Sequence, residues 1–309
     1  MKYGLVIHGG AGTILPSAMT PELEKEYKFC LQKSLDEAYQ SLEMGSNATD
    51  AVCIAIQVME DSPLFNAGRG SVYTHDGTHD MDASIMRGDD LEAGAISGSK
   101  TVRNPILLAK AILLHSSHVY LTGTGAEDFA REHNLKFEDE TFFHTEFRYR
   151  QYQHALQTDE VFLDHSDQKK FGTVGCVALD KFGNICAGTS TGGMTNKKYG
   201  RVGDSALIGA GTYANNKTCA VSCTGDGEYF IRAVSAYEMS ALMEYKGLNI
   251  KEAGQELIHK KMVDIGGEGG LIAMDCNGNY CLPFNSAGMY RGVKMSDEKA
   301  KVGFYKDWL

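Results

Sequence analysis

Apolar residues recur every three or four positions early in the chain, and the rhythm later changes to alternation. A short apolar run at residues 2–8 predicts a buried strand. The stretch "ELEKEYKFCLQKSLDEAYQSLEMG" then places Tyr27, Cys30, Leu31, Leu35, Ala38 and Leu42 on one helical face. Thr20 stands as its N-cap, Pro21 takes the first helical position and Gly45 stops it. A second, more apolar helix is predicted over "ATDAVCIAIQVMED" and a third over "NPILLAKAILLHS". Between them, "SVYTHDGTHDMDASIM" has two short runs about an Asp-Gly pair, a hairpin signal. "HVYLTGTGAEDFAREH" reads as strand, glycine turn and helix.

Alternation takes over after residue 172. "GTVGCVALDKFGNICAGTSTGG" and "GGLIAMDCNGNYCLPFNSAGMY" are each two strands around a Gly-Asn turn, and both carry the frame A-x-D-x-x-G-N-x-C. "GEYFIRAVSAYEMSALMEYKG" and "IKEAGQELIHKKMVD" between them read as helices. Paired hairpins and paired helices predict the α+β class, with antiparallel sheets covered by helices on their outer faces. Residues 134–172 have no legible period, and this polar stretch with scattered aromatics is predicted to be a mobile linker. A structureless loop of about forty residues is unusual inside a compact protein, unless it is meant to be released.

Composition narrows the function classes. The 309 residues suffice for one large core or two smaller ones. A net charge of −10 argues against nucleic acid and anionic membrane as partners, since both reward basic patches. No apolar run approaches the ~18 residues of a membrane span, and no secretory or transit segment is legible. The eight cysteines form no C-x-x-C pair and are expected to be reduced thiols of a cytoplasmic protein.

Gly172-Thr173 raises the chemical question, because a threonine opens a strand directly after the linker. A threonine hydroxyl is a poor nucleophile without a base. Its own α-amino group, with a pKa near 7.7–8.0, can serve once the chain is cut before it. A flexible Gly172 would let the Thr173 hydroxyl reach the preceding carbonyl for an N→O acyl shift and ester hydrolysis.

Eight segments occur in order: "HGGAG" at 8–12, "FNAGRGS" at 65–71, "MDASIM" at 81–86, "GTVGCVALD" at 172–180, "TSTGG" at 189–193, "GRVGDS" at 200–205, "GAGTYANN" at 209–216 and "TGDGE" at 224–228. Together they resemble the plant-type asparaginase / isoaspartyl aminopeptidase family of N-terminal nucleophile hydrolases, over nearly the whole chain. The resemblance implies a four-layer αββα sandwich, a single domain cut into residues 1–172 and 173–309. It implies no catalytic cofactor, a small-molecule or dipeptide substrate, and pairing of αβ units into a dimer. It implies Thr173 as nucleophile after cleavage at Gly172-Thr173, with Thr191 orienting it. Arg201 and Asp204 would grip the substrate's α-carboxylate and α-amino group, as a guanidinium fork and a carboxylate are suited to do. Thr224, Gly225 and Asn66 match oxyanion and amide-binding positions, and Gly227 the glycine that seats the substrate amine. Backbone carbonyls of Met59, Glu60, Ser62, Phe65, Ala67 and Arg69 would hold a sodium ion. Arg69 is bulky and charged where relatives often carry something small, and Asp226 stands between two binding-site glycines at a position that varies in the family. The implied activity is hydrolysis of L-asparagine and β-aspartyl dipeptides, with cleavage of glycosylated asparagine as the alternative.

Other classes compete. His75, His79, Asp80 and Asp82 could ligate a metal in a different hydrolase, although two of them flank a tight turn. The turn at 121–128 lacks the third glycine of a dinucleotide fingerprint, with Asp128 in its place. His8 is expected to be structural rather than a catalytic base. A non-catalytic binding protein would keep the fold and never cut itself.

Overall fold

The computed structural model describes residues 2–14, 16–158 and 172–308. Strand β1 (Gly4–Gly12) is followed by helix α1 (Pro21–Glu43) and helix α2 (Ala48–Glu60). The Thr20 side chain accepts from Leu23 N, and Asn47 caps α2 in the same way by accepting from Asp50 N. Strands β2 (Met81–Arg87) and β3 (Ala93–Ser99), helix α3 (Pro105–His115), strand β4 (Tyr120–Thr122) and helix α4 (Gly123–Glu132) come next. Short helices α5 (Glu140–Phe143) and α6 (Glu146–Thr158) precede strands β5 (Val174–Leu179), β6 (Ile185–Thr191), β7 (Thr212–Ala214) and β8 (Ala220–Gly225). Helices α7 (Gly227–Ala233), α8 (Ser235–Lys246) and α9 (Ile250–Glu256), then a π-turn into α10 (Met262–Asp264), lead to β9 (Gly269–Met274), β10 (Tyr280–Cys281), β11 (Gly288–Met295) and β12 (Lys301–Gly303).

The protein is α+β, with two mainly antiparallel sheets in the orders β12-β11-β1-β5-β6-β2-β3-β4 and β10-β9-β8-β7. Only the β3–β4 pairing is parallel among the described strands. Three apolar clusters fill the interior. One lies between α1, α2 and α3 and the larger sheet; another, with Val6, Val177, Ala187, Ile272 and Met289, lies between the sheets; the third joins the smaller sheet to α8 and α9. β5 and β6 therefore have both faces buried, which places the chain after Gly172 at the centre of the molecule.

The two similar hairpins share one device. Asp180 accepts from the backbone N–H groups of Phe182 and Asn184, and Asp275 does the same for Asn277 and Asn279. Gly183 and Gly278 sit at φ 87° and 78°, where a side chain would be strained. The shared frame thus specifies a turn. All eight cysteines are free thiols.

Three expectations need correction. The runs at 71–86 do not pair with each other: Thr74 closes a local turn with Thr78, while β2 pairs with β6 and β3, which bury it on both edges. Residues 140–143 and 146–158 are helical, not linker. They dock through polar and aromatic groups, with Arg148 Nε on Gly70 O at 2.9 Å and Tyr152 stacked on Tyr73, so no aliphatic period marks them. The linker expectation for 159–171 lies outside the described residues. Finally, the helix read over 227–247 breaks at Val234, which is left-handed with φ 49°.

Candidate active site

Thr173 lies just before β5, and Thr191 closes β6, its antiparallel neighbour. Both are buried, and their hydroxyls are 3.2 Å apart. Thr191 Oγ1 also donates to the carbonyl of Gly172 at 3.1 Å and accepts from Gly193 N at 3.0 Å. A single hydroxyl therefore touches both Thr173 Oγ1 and the carbonyl of the bond before it. Gly172 is required for space, because a Cβ at 172 would fall inside the side chain of Asn66.

Asn66 is buried and already busy: Nδ2 donates to Gly193 O at 2.7 Å and Oδ1 accepts from Val72 N at 2.9 Å. It ties its own loop to the turn after Thr191 and keeps one further amide N–H. Thr224 lies one residue before the end of β8, its hydroxyl accepting from Ala11 N at 3.2 Å. Gly225 and Gly269 approach so closely that a Cβ on either would strike the other's backbone. On the opposite side of Thr173, His8 Nδ1 meets the Thr173 carbonyl at 3.1 Å, so "HGGAG" does have a structural place beside this residue.

Arg201 and Asp204 form a second group. Arg201 grips Glu228 with two bonds, Nε to Oε1 at 2.8 Å and Nη2 to Oε2 at 2.7 Å. Asp204 is buried, and its Oδ2 has no hydrogen-bond partner among the described residues. A Cβ built on Gly227 would lie 2.9 Å from both Arg201 Nη2 and Asp204 Oδ1. The missing side chain leaves a seat where a cation donor and a carboxylate converge. Burial pushes the Asp204 carboxyl up to about 7 despite Arg201. Burial and then the Glu228 charge push Asp226 up to about 6. Burial alone would lower Arg201, but the Glu228 bonds outweigh it and hold the guanidinium charged.

The two groups meet through β2. Asp82 stands opposite Thr191 in the β2–β6 ladder, and its charge acts on both Arg201 and Lys197. Lys197 is buried, donates to Asp80 O at 2.5 Å and lies 4.0 Å from Asp82 Oδ2. Neither Lys197 nor Glu228 was legible as a site residue. The Glu228 signal was a charge one residue beyond Gly227, while Lys197 sat in a polar loop with nothing to distinguish it.

The metal alternative finds no support. His75 bonds Asn196, His79 bonds Ser71 and Val72, and Asp82 accepts from Gly98 N. Among the described residues no cluster of three His, Cys, Asp or Glu side chains is placed to hold a metal ion. In the 59–69 loop, carbonyl oxygens crowd the glycines: Glu60 O faces Gly68, and Phe65 O and Pro63 O face Gly70. The carbonyls of Met59, Phe65 and Ala67 each already accept a backbone N–H. No described helix is long and apolar enough to cross a membrane.

A family model described as asparaginase matches residues 1–304. An isoaspartyl peptidase of Salmonella typhimurium is 48% identical over 311 residues, spanning 99% of each chain. An isoaspartyl peptidase of Escherichia coli is 46% identical over 311 residues, 99% of this chain and 97% of that one. A probable isoaspartyl peptidase/L-asparaginase 2 of Arabidopsis thaliana is 40% identical over 327 residues, 98% of this chain and 99% of that one.

Proposed function

The chain belongs to the asparaginase family, and from that premise we propose that it hydrolyses the β-aspartyl amide bond of L-asparagine and of isoaspartyl dipeptides. The observation that carries the mechanism is the Thr191 hydroxyl, bonded at once to Thr173 Oγ1 and to Gly172 O. In maturation, Thr173 Oγ1 attacks the Gly172 carbonyl carbon. The C–N bond breaks, its nitrogen takes the proton, and water cleaves the ester to leave a Gly172 carboxylate and a free Thr173 amine. In turnover that amine takes the hydroxyl proton while Oγ1 attacks the substrate's side-chain carbonyl, then passes it to the departing ammonia or amine. Water, activated by the same amine, releases aspartate from the ester. Thr224, the Gly225 backbone and the spare N–H of Asn66 serve the developing oxyanion, worth about 3–4 kcal/mol per donor in other hydrolases.

Arg201 takes the substrate α-carboxylate, and Asp204 with Gly227 takes the α-amine. Both groups face the Gly227 seat, and Asp204 Oδ2 awaits a donor. The three relatives described above carry isoaspartyl peptidase names, which favours this substrate class over glycosylated asparagine. The three apolar clusters fit the three interlayer spaces of an αββα sandwich. Pairing of αβ units into a dimer, a cytoplasmic location and turnover that needs no cofactor complete the reading. A structural sodium ion held by the backbone carbonyls of Met59, Glu60, Ser62, Phe65, Ala67 and Arg69 belongs to the same proposal.

The test is a denaturing gel with N-terminal sequencing. Active enzyme should give fragments of 172 and 137 residues, the second beginning Thr-Val-Gly-Cys. Thr173→Ala should leave one band and cut turnover by roughly 10⁴-fold or more. A single uncut band in enzyme that hydrolyses β-aspartyl-leucine would overturn the mechanism.

A further inference from the structure

Six buried polar residues run in file between the two sheets, and the proposed mechanism uses none of them. His8 Nε2 lies 2.9 Å from Ser222 Oγ, and Ser222 Oγ 2.7 Å from Thr189 Oγ1. Thr189 Oγ1 lies 2.5 Å from Thr212 Oγ1, and Ser84 Oγ 2.8 Å from Thr212 Oγ1. Ser84 then donates to the Ser205 carbonyl at 2.6 Å. All six residues are buried. Room for the first link is provided by Gly175, opposite His8 in the β1–β5 ladder: a Cβ there would fall on both Ser222 Oγ and His8 Nε2.

Hydrogen counting gives the file a direction. The Thr173 carbonyl can only accept, so His8 Nδ1 carries the proton in that bond. Burial pushes the imidazole down to about 3, so it is neutral and its Nε2 must accept from Ser222. Thr189 must then donate to Ser222, and Thr212 to Thr189. Ser84 has one proton and two acceptors within reach, the Ser205 carbonyl and Thr212 Oγ1. Beyond it, the arm Thr212–Thr189–Ser222–His8 ends on Thr173.

Resting on the reading of Thr173 as nucleophile, we propose that His8 is a positioning residue for it, held in place by the hydroxyl arm Ser222–Thr189–Thr212. The imidazole fixes the peptide plane that follows Thr173. With that plane fixed, the freed amine and the Cβ bearing Oγ1 keep one orientation toward the substrate carbonyl. An unheld imidazole could turn about its Cβ–Cγ bond, and the donor to the Thr173 carbonyl would be lost. The arm touches no residue assigned to gripping substrate, so its loss falls on the chemical step.

The experiment uses matured protein and L-asparagine, comparing Thr189→Val with Thr189→Ser. Valine keeps the shape and removes the hydroxyl; serine keeps the hydroxyl and removes a methyl. Thr189→Val should lower kcat about tenfold with KM within twofold of wild type, and Thr189→Ser should restore most of kcat. Ser222→Ala, which adds no bulk, should match Thr189→Val, and the double variant should be no worse than either alone. Should Thr189→Val fail to accumulate as folded protein, Ser222→Ala against wild type carries the same comparison. The proposal is overturned if kcat stays within twofold in Ser222→Ala, if the serine variant behaves like the valine one, or if KM rises as steeply as kcat falls. Turnover by wild type and its loss in Thr173→Ala test the underlying mechanism separately, since they do not involve this arm.

Discussion

Around Thr173 the side chains are hydroxyls and a neutral imidazole, whereas around Gly227 they are one guanidinium and three carboxylates. The two groups hold their geometry by different physics. Beside Thr173, position comes from short neutral hydrogen bonds inside a strand pair buried on both faces, and the only base the proposed mechanism needs is the main-chain amine that cleavage would release. Charge placed there would shift that amine. At the Gly227 seat, recognition comes from buried charge. Burial makes Asp204 reluctant to ionise without a cation, while Arg201, held by Glu228 through Nε and Nη2, keeps Nη2 beside the seat. The side chains of the first group are indifferent to pH near neutrality, and those of the second respond to it.

The sharpest way to break this contrast is Arg201→Lys. An ammonium cannot form the two-bond fork with Glu228 or with a carboxylate. Losing one charged hydrogen bond is worth about 1.5–3 kcal/mol, which corresponds to roughly 10–100-fold. That factor should appear as a rise in KM for asparagine with kcat little changed. An equal fall in kcat would mean that the guanidinium also acts on the nucleophile's side, and the division would fail.

Asp204 sharpens the contrast by pH. Its carboxyl sits near 7 in the free site, and a bound ammonium would favour the ionised form, so substrate binding should release a proton. Below pH 7 the group is protonated and cannot pair with the ammonium. KM should therefore rise by up to about tenfold per pH unit as pH falls from 7 toward 5.5. Asp204→Asn should have a raised and pH-independent KM. Wild-type KM that stays flat over this range would show that Asp204 does not hold the amine. Protonation of the Thr173 amine enters kcat instead, which keeps the two groups distinguishable in one data set.

Much of this was legible before any coordinates. Thr20, Pro21 and Gly45 bound the first helix because capping is local chemistry, and the repeated A-x-D-x-x-G-N-x-C frame marked its turns because Asp180 and Asp275 bond backbone within four residues. Thr173, Thr191, Arg201 and Asp204 were named from ordered motifs, and the fold brings them together as two groups. What stayed hidden depends on distant partners. The helix at 146–158 docks through Arg148 and tyrosines rather than an aliphatic face, so its pattern resembles a loop. Ser84, Thr189, Thr212 and Ser222 are ordinary strand residues until β2, β6, β7 and β8 bring their hydroxyls together. Sequence alone assigns Gly172 a role through its flexibility, and the structure adds that Asn66 leaves no room for a side chain there.

The smallest expected effect tests whether the neutral group is neutral throughout. Glu60 is buried under β6, its Oε1 accepting from Ser190 Oγ at 2.6 Å and from Ile106 N at 3.0 Å, while Oε2 has no partner among the described residues. Ser190 lies between Thr189 and Thr191, so this carboxyl supports the strand that carries both. Burial raises it from 4.5 to about 8, which leaves it protonated at neutral pH. Between those values the folded state keeps a proton that the unfolded chain has released. Its contribution to stability is therefore complete below pH 4.5 and is lost as pH climbs through 8. Glu60→Gln preserves an acceptor for Ser190 and Ile106 and cannot ionise. Measured by thermal melting, wild type should lose a few degrees relative to Glu60→Gln between pH 5 and pH 9, the variant becoming the more stable protein at the alkaline end. Parallel melting curves across that range would mean that Glu60 is already ionised at neutral pH, and a buried negative charge would then sit one residue from each of the two threonines that the contrast treats as uncharged.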